Sequence, residues 1–180
     1  MFRRMAYSYG CIMVPVPPVL ADSIRGYAET IPEALRKRTE DASNGIPDEV
    51  HITVKYGILT EDVNEVAEVV AGTNPIRIKL GRAGVFHNPT EAVIRLSVDS
   101  PELRELHNKV CHNLRHVNTY RDYHPHVTVA YMIKREDDPY YYRTFFSDDF
   151  EGLEFDVDRV IFSTSSGQKK SISFLGEVEP

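Results

Sequence analysis

One eight-residue string occurs twice in the chain, and it constrains the fold more than any other feature. The string His51-Ile-Thr-Val-Lys-Tyr-Gly-Ile58 recurs as His126-Val-Thr-Val-Ala-Tyr-Met-Ile133, with His, Thr, Val, Tyr and Ile in the same register. Side chains alternate between the two faces of a β-strand, so each copy would present an imidazole and a hydroxyl on one face. The aliphatic side chains between them would lie on the opposite face. The repeat therefore predicts two half-buried strands, each with a polar His and Thr face.

The patterns around the two copies predict a duplicated α+β architecture. Helices are expected over residues 19–42 with a break or kink at Pro32, over 60–72, and over 100–117, where Ser100 precedes Pro101 as a helix start signal. Further strands are expected over residues 9–16, 76–81, 93–98, 155–163 and 171–178. We predict one bilobal domain over residues 1–180. A pseudo-twofold axis would relate two antiparallel sheets that face a central groove, with the helices outside.

Composition limits the class of ligand. The chain has 180 residues, enough for one sizeable core, and a net charge of −6. Binding to long nucleic acid relies on many Lys and Arg contacts, so this charge favours a small anionic ligand. No run approaches the roughly 20 apolar residues that cross a membrane. The two scattered cysteines, Cys11 and Cys111, favour a reduced, cytoplasmic protein.

The repeated His and Thr face suggests acid–base chemistry on a phosphate. A duplicated strand kept only for packing would explain Val54 and Val129, but it would not explain why the polar face carries His and Thr twice. Two imidazoles with an unperturbed pKa near 6.5 can serve as one general base and one general acid near neutral pH. Two threonine hydroxyls can donate hydrogen bonds to the phosphate oxygens, on which charge develops. This chemistry needs neither a metal nor a cofactor.

Zinc binding is the main alternative for the histidines. His124 and His126 flank a proline, and His112 and His116 have the i, i+4 spacing that can hold zinc on a helix. However, HExxH and CxxC patterns are absent and threonine is a poor zinc ligand. We therefore expect no metal site.

Other residues near the motifs have two interpretations each. Strand alternation places Lys55 on the face of His51, where it would add positive charge, although a solvated lysine at the strand end is equally consistent. The same alternation predicts that Tyr56 and Tyr131 belong to the core. The segment 163–170, rich in hydroxyls with Gly167 and two lysines, fits a phosphate-binding loop or a plain hairpin connection, and we favour the hairpin.

The paired motifs resemble those of the two-histidine (2H) phosphoesterase superfamily. Its signature is two H-x-[ST] motifs, each followed by an apolar residue, on facing strands of a pseudo-symmetric bilobal fold. HITV and HVTV satisfy that signature, and the order of elements matches over nearly the whole chain. The resemblance implies that the catalytic residues are His51, Thr53, His126 and Thr128.

Within that superfamily, the longer strings HITVKYG and HPHVTVAYM look most like those of the phage anti-CBASS nucleases. That branch implies metal-independent cleavage of 3′,5′ bonds in small cyclic oligonucleotides in the host cytoplasm, with either a substrate 2′-hydroxyl or water as nucleophile. It also implies aromatic side chains that stack on the bases. Tyr9 and Phe86 are the candidates for this role, and a place in the core or at the groove rim is as consistent for each.

Two other functions fit the same motifs. The first is an enzyme that processes 2′,3′-cyclic phosphate or 2′,5′-linked RNA ends. Such an enzyme should have a basic track for the strand, whereas Lys and Arg are scattered along this sequence. The second is a non-catalytic nucleotide sponge, which has no need for a matched acid and base.

Overall fold

The computed structural model describes residues 9–118, 122–135, 137–138 and 140–179, so parts of the predicted domain, including residues 1–8, lie outside the described residues. The described residues form eight strands: β1 (Gly10–Pro15), β2 (His51–Ile58), β3 (Ile76–His87), β4 (Glu91–Asp99), β5 (His126–Ile133), β6 (Glu154–Val157), β7 (Arg159–Ser163) and β8 (Lys169–Ser173). They also form three α-helices: α1 (Pro18–Glu29), α2 (Val63–Val70) and α3 (Pro101–Asn113). Two short 3₁₀ helices cover Glu33–Leu35 and Tyr141–Phe145.

The strands form one antiparallel sheet in the order β6-β3-β4-β5-β2-β1-β7-β8. The prediction of two separate sheets is therefore wrong, although the predicted pseudo-symmetry is present in the strand order. The unit β1-α1-β2 corresponds to β4-α3-β5, and four strands lie on each side of the boundary between β5 and β2. The two halves are joined because Ile52 of β2 pairs with Val127 of β5.

Each helix of the duplicated unit packs on the other half of the molecule. Helix α1 contacts β5, and helix α3 contacts β2. Apolar residues of α3, including Leu106, share one buried core with Ile52 and Val54 of β2. The helices therefore cover the face of β2 and β5 opposite to the histidines.

The helix boundaries need corrections at the C-terminal ends and at the start of α2, which begins at Val63 with Asp62 as its cap and not at residue 60. Ser100 caps α3 by accepting a hydrogen bond from the Leu103 N–H at 3.1 Å, as its position before Pro101 predicts. The helix predicted over 19–42 instead ends at Glu29, because Pro32 has no N–H to donate and disfavours helical backbone at the residue before it. The segment that follows pairs with β5 through the Lys37 N–H and the Tyr131 carbonyl. None of the helices in the described part of the chain has the length and apolar character that a membrane span requires.

Candidate active site

The two repeated motifs meet where the halves of the sheet join. The Ile52–Val127 pair is antiparallel, so the same register sets His51 opposite Thr128 and Thr53 opposite His126. All four side chains are half-buried, whereas Ile52 and Val127 between them are fully buried on the other face. The structure thus brings the four predicted residues onto one face around the pseudo-twofold axis.

Both imidazoles are held by the same backbone hydrogen bond. His51 Nδ1 lies 3.1 Å from the Glu49 carbonyl oxygen, and His126 Nδ1 lies 2.8 Å from the His124 carbonyl oxygen. A carbonyl oxygen can only accept, so Nδ1 carries the proton in both rings and Nε2 is left for chemistry. A neutral ring then offers Nε2 as a base, and a protonated ring offers an Nε2–H as an acid.

The pKa of each imidazole is lowered, chiefly by burial, which disfavours the charged ring. The surrounding charges differ between the two rings. The carboxylates of Glu49 and Asp41 favour the protonated form of His51, and Lys169 opposes them. Arg95 and His124 both disfavour the protonated form of His126. The pseudo-symmetric pair is therefore electrostatically unequal.

A β-bulge interrupts each motif at the same place. In the pairing with β1, Ile12 lies opposite Lys55 and Met13 opposite Thr53, so Val54 has no partner. In the pairing with β4, the same shift leaves Val129 without a partner. Each bulge reverses the alternation of faces for the residues that follow it.

This reversal corrects the orientation predicted for both tyrosines. Tyr56 and Tyr131 return to the face of the histidines, where both are half-buried, so the prediction that they belong to the core is wrong. Tyr56 contacts Tyr9 edge to face, with ring centroids 5.9 Å apart. Tyr9 therefore lies beside Tyr56, one strand away from the motif.

The bulge also turns Lys55 away from the predicted site. Lys55 is only 7% exposed, and its ammonium donates to the Asn118 side chain at 3.1 Å. Its charge acts on His107 and Cys111 of α3. The structure thus places Lys55 on the helix side of β2, and the prediction that it shares the face of His51 is wrong.

Two side chains from the other half hold the carbonyl groups of β2 beside the bulge. His107 Nδ1 donates to the Val54 carbonyl at 2.7 Å, and the Tyr123 hydroxyl donates to the Thr53 carbonyl at 3.0 Å. The two rings stack, with centroids 3.9 Å apart and nearly parallel planes. Because β5 has diverged from β2 here, these side chains replace the missing sheet partner.

Phe86 lies against the imidazole of His126, edge to face, with ring centroids 4.9 Å apart. The guanidinium of Arg95 lies over the same Phe86 ring, with Cζ 4.7 Å from its centroid. Arg95 pairs with Thr128 across β4 and β5. Phe86 could be proposed from the sequence, whereas the only local signal for Arg95 is a cation within an apolar strand.

Lys169 is the second charged residue near the motifs that no sequence pattern indicates. The segment 163–170 is the connection between β7 and β8, which confirms the hairpin interpretation. Lys169 at its end forms an ion pair with Glu49 at 2.5 Å, and its charge acts on His51 and Cys11. Burial raises the pKa of the Cys11 thiol to about 12, so this thiol beside Thr53 stays protonated. Both cysteines are free.

Within the residues that the structure describes, no three His, Cys, Asp or Glu side chains form a cluster that could hold a metal ion. Of the histidines weighed as zinc ligands, His112 is exposed on α3, and the backbone of His116 pairs with that of Ile58.

Comparison with known proteins places the chain in a family. The family model of the 2′-5′ RNA ligase superfamily matches residues 21–169. Apo E. coli LigT is 16% identical, covers 93% of this chain and 95% of its own, and superposes with a TM-score of 0.57. Kluyveromyces marxianus Usb1 is 9% identical, with coverages of 93% and 98% and a TM-score of 0.55. Structures of LigT complexed with 3′-AMP and of Usb1 with uridine monophosphate are similar as well, with TM-scores of 0.57 and 0.51.

No match was found among curated protein sequences. The two structural relatives share the fold, and the family model covers most of the chain, including both H-x-T motifs. The chain belongs to the 2′-5′ RNA ligase superfamily of 2H phosphoesterases.

Proposed function

We propose that the chain is a cytoplasmic phosphodiesterase that opens 3′,5′ bonds in small cyclic oligonucleotides without a metal ion. The observation that carries this proposal is the arrangement of two imidazoles and two threonines on one face around the Ile52–Val127 pair. In both imidazoles Nδ1 is committed to a backbone carbonyl, so both Nε2 atoms are available for proton transfer. Acid–base cleavage of a phosphodiester requires two such groups, one to accept a proton and one to donate a proton.

The reaction needs one neutral and one protonated imidazole. The neutral ring accepts the proton of the attacking oxygen, which belongs to a 2′-hydroxyl of the substrate or to water. The new P–O bond forms as the bond to the leaving oxygen breaks, and the protonated ring gives that oxygen its proton. The hydroxyls of Thr53 and Thr128 donate to the non-bridging oxygens, on which negative charge increases.

The charged neighbours of the two rings favour one assignment of the roles. Burial and Lys169 disfavour the protonated ring of His51, but the carboxylates of Glu49 and Asp41 stabilise it, so we propose His51 as the general acid. Arg95 and His124 disfavour the protonated ring of His126, so we assign His126 as the general base. In this assignment Lys169 attracts the substrate's anionic groups to the His51 side of the groove, and Arg95 does so on the His126 side.

Substrate size follows from charge and aromatic surface. The chain carries a net charge of −6, so its cations near the site act locally and favour a short anionic ligand over a long strand. Tyr9 and Phe86 offer rings on opposite sides of the motif pair, on which the bases of a compact oligonucleotide would stack.

RNA end processing is the second candidate. It is favoured because a LigT structure holds 3′-AMP and a Usb1 structure holds uridine monophosphate, so proteins with this fold accept nucleotides that carry one phosphate. An enzyme of this kind would act on 2′,3′-cyclic phosphate or 2′,5′-linked ends with the same four residues.

The deciding experiment is incubation of the protein in EDTA with cyclic di- and trinucleotides, 2′,3′-cyclic mononucleotides and RNA with a cyclic phosphate end. We expect cleavage of at least one cyclic oligonucleotide at a higher rate than of the other substrates. Activity confined to cyclic phosphate ends would favour the second candidate, and strict dependence on added metal would contradict the proposed mechanism. Recovery of every ligand intact after binding and denaturation would identify a sponge.

A further inference from the structure

Arg95 is a partly buried cation without a counter-charge. It forms no ion pair with a carboxylate among the described residues, and its Nε is buried without a hydrogen-bond partner. Burial alone lowers its pKa. Burial of a guanidinium raises the free energy of the folded protein unless an anion pairs with it. The planar set of N–H donors on a guanidinium matches the oxygens of a phosphate.

The guanidinium lies outside the position where the reacting phosphate would sit. Arg95 belongs to β4, and its guanidinium extends across β3: a Cβ built on Gly84 would lie 3.2 Å from Cζ and 3.3 Å from Nη2. Strands lie about 4.8 Å apart, so the guanidinium is on the order of 10 Å from β5, which carries His126 and Thr128. Phe86 lies between the imidazole and the guanidinium, in contact with both.

We propose that Arg95 binds a second phosphate of the substrate, next to the one that reacts, and thereby selects oligonucleotides over mononucleotides. This inference rests on the proposed function, because it assumes that the reacting phosphate lies between the two H-x-T motifs. Phe86, in contact with both groups, holds the guanidinium beside the imidazole of His126. A 2′,3′-cyclic mononucleotide has no phosphate to offer at this position.

The other half of the molecule supplies a conservative substitution for the test. Met13 lies opposite Thr53 in the β1–β2 pairing, as Arg95 lies opposite Thr128 in the β4–β5 pairing. Arg95→Met therefore installs a side chain that the fold already accepts at the pseudo-symmetric position. Gly84→Ala provides an independent variant, because its Cβ would shift the guanidinium by a few tenths of an ångström without removing it.

Binding of thymidine dinucleotides with a terminal 3′- or 5′-phosphate tests the inference without turnover. Each dinucleotide is compared by isothermal titration calorimetry with a matched analogue whose linkage is a neutral methylphosphonate. For at least one phosphate position, we expect the wild type to bind the charged linkage about 10- to 100-fold more tightly, the range of charge-assisted hydrogen bonds. Arg95→Met should reduce that preference below about 3-fold, and Arg95→Lys and Gly84→Ala should reduce it partially.

The control variant is Arg82→Met, which removes the same charge from the same hairpin. Arg82 is exposed and paired with Glu151, so its loss should leave the preference for the charged linkage intact. Equal weakening of both analogues in Arg95→Met, with the terminal phosphate at the 3′ end and also at the 5′ end, would show that Arg95 selects no linkage phosphate, and would overturn the inference. A wild type that binds both linkages equally, or neither, would also overturn it. Failure of the proposed function would show separately, as absence of cleavage in the EDTA panel.

Discussion

At the scale of the residue, the chemistry depends on two imidazoles with the same hydrogen bond and different neighbours. The Nδ1–H of each donates to the carbonyl two residues upstream, so neither ring can rotate without losing that bond. Burial lowers both pKa values, which keeps a large share of each ring neutral in the free protein. An anionic substrate reverses this tendency, because its phosphate stabilises an imidazolium.

Removal of either imidazole should abolish most turnover. We expect His51→Ala and His126→Ala each to lower kcat about 10²- to 10⁴-fold with substrate still bound, and the double variant to be little worse, because the two act as a unit. Thr53→Val and Thr128→Val should lower kcat by a smaller factor, about 10- to 10³-fold. Steady-state kinetics on the best substrate of the panel measures this, with circular dichroism as the folding control. Near-normal kcat in either folded His variant would show that this face is not the active site.

The assignment of acid and base can be tested with the leaving group. A nucleoside 3′-(p-nitrophenyl phosphate) releases a stable phenolate, so it needs no general acid. On this substrate, His51→Ala should recover to within about 10-fold of the wild type, whereas His126→Ala should stay as impaired as on the natural linkage. The opposite pattern would mean that the two roles are exchanged.

The pH dependence follows from the direction of the two pKa shifts. Activity requires one neutral and one protonated imidazole, so the rate is highest between the two pKa values. Burial lowers both pKa values. The pH profile of kcat/KM, which reports the free enzyme, should therefore have its maximum below about pH 6.5. The bound phosphate raises both pKa values, so the bell-shaped pH profile of kcat should have its maximum at a higher pH than the profile of kcat/KM. A kcat/KM maximum on the alkaline side of neutrality would contradict these shifts.

At the scale of the element, the bulges decide which side chains accompany the histidines. Each bulge follows the His and Thr pair, so it leaves that pair in place and turns the next residues over. In β2 a second register shift at Gly57 returns Ile58 to the core face. Past the bulge, loop segments replace the missing sheet partner of each strand: the Val117 N–H donates to the Gly57 carbonyl, and the Tyr131 N–H donates to the Gly45 carbonyl. Gly57 has a φ of +98°, and a Cβ there would lie 2.5 Å from the Val117 carbonyl oxygen, so only glycine permits this approach.

The hydroxyl of Tyr123 should matter to both stability and rate. Tyr123→Phe keeps the stack on His107 but removes the donor to the Thr53 carbonyl. We expect a loss of about 1 kcal/mol in the free energy of unfolding and a several-fold lower kcat, because the strand that carries His51 and Thr53 is less firmly held. Urea unfolding and kinetics measure the two effects. Tyr140→Phe, at an exposed tyrosine, is the control and should change neither.

At the scale of the whole molecule, the two halves are interlocked. Helix α1 packs on β5 and helix α3 packs on β2, so each half completes the core of the other. Among the described residues, strands β2 and β5 share one bridge pair, Ile52–Val127. The halves are also joined by the packing of α1 and α3 and by loop segments of each half that pair with the motif strand of the other. The geometry of the site therefore depends on both halves being folded.

We expect the chain to unfold in one cooperative transition. Leu106→Ala in α3 should lower the free energy of unfolding by about 2–5 kcal/mol, because Leu106 is 1% exposed in the shared core. The loss should appear as a shift of one urea transition that far-UV circular dichroism and tyrosine fluorescence report at the same midpoint. Val19→Ala at an exposed site of α1 is the control, with a change of a few tenths of a kcal/mol at most. Two separate transitions would mean that the halves are independent domains.

The two motif strands, the shared face of His and Thr, and the start of α3 could be predicted from the sequence, whereas α2 begins at Val63 and not at residue 60. These features are local, because strand alternation and a capping serine before proline act within a few residues of the chain. The pseudo-symmetry was also readable, since a duplicated unit leaves a duplicated string.

The tertiary structure alone decided which other groups surround the imidazoles. A bulge is set by the register with a neighbouring strand, so strand alternation misplaced Lys55, Tyr56 and Tyr131. Arg95 and Lys169 reach the site from strands that are distant in sequence from the motifs they approach, and no local pattern encodes that proximity. Similarly, a single residue pair, Ile52–Val127, joins the two halves into one continuous sheet, and this contact lies between residues far apart in the sequence, so no local pattern encodes it.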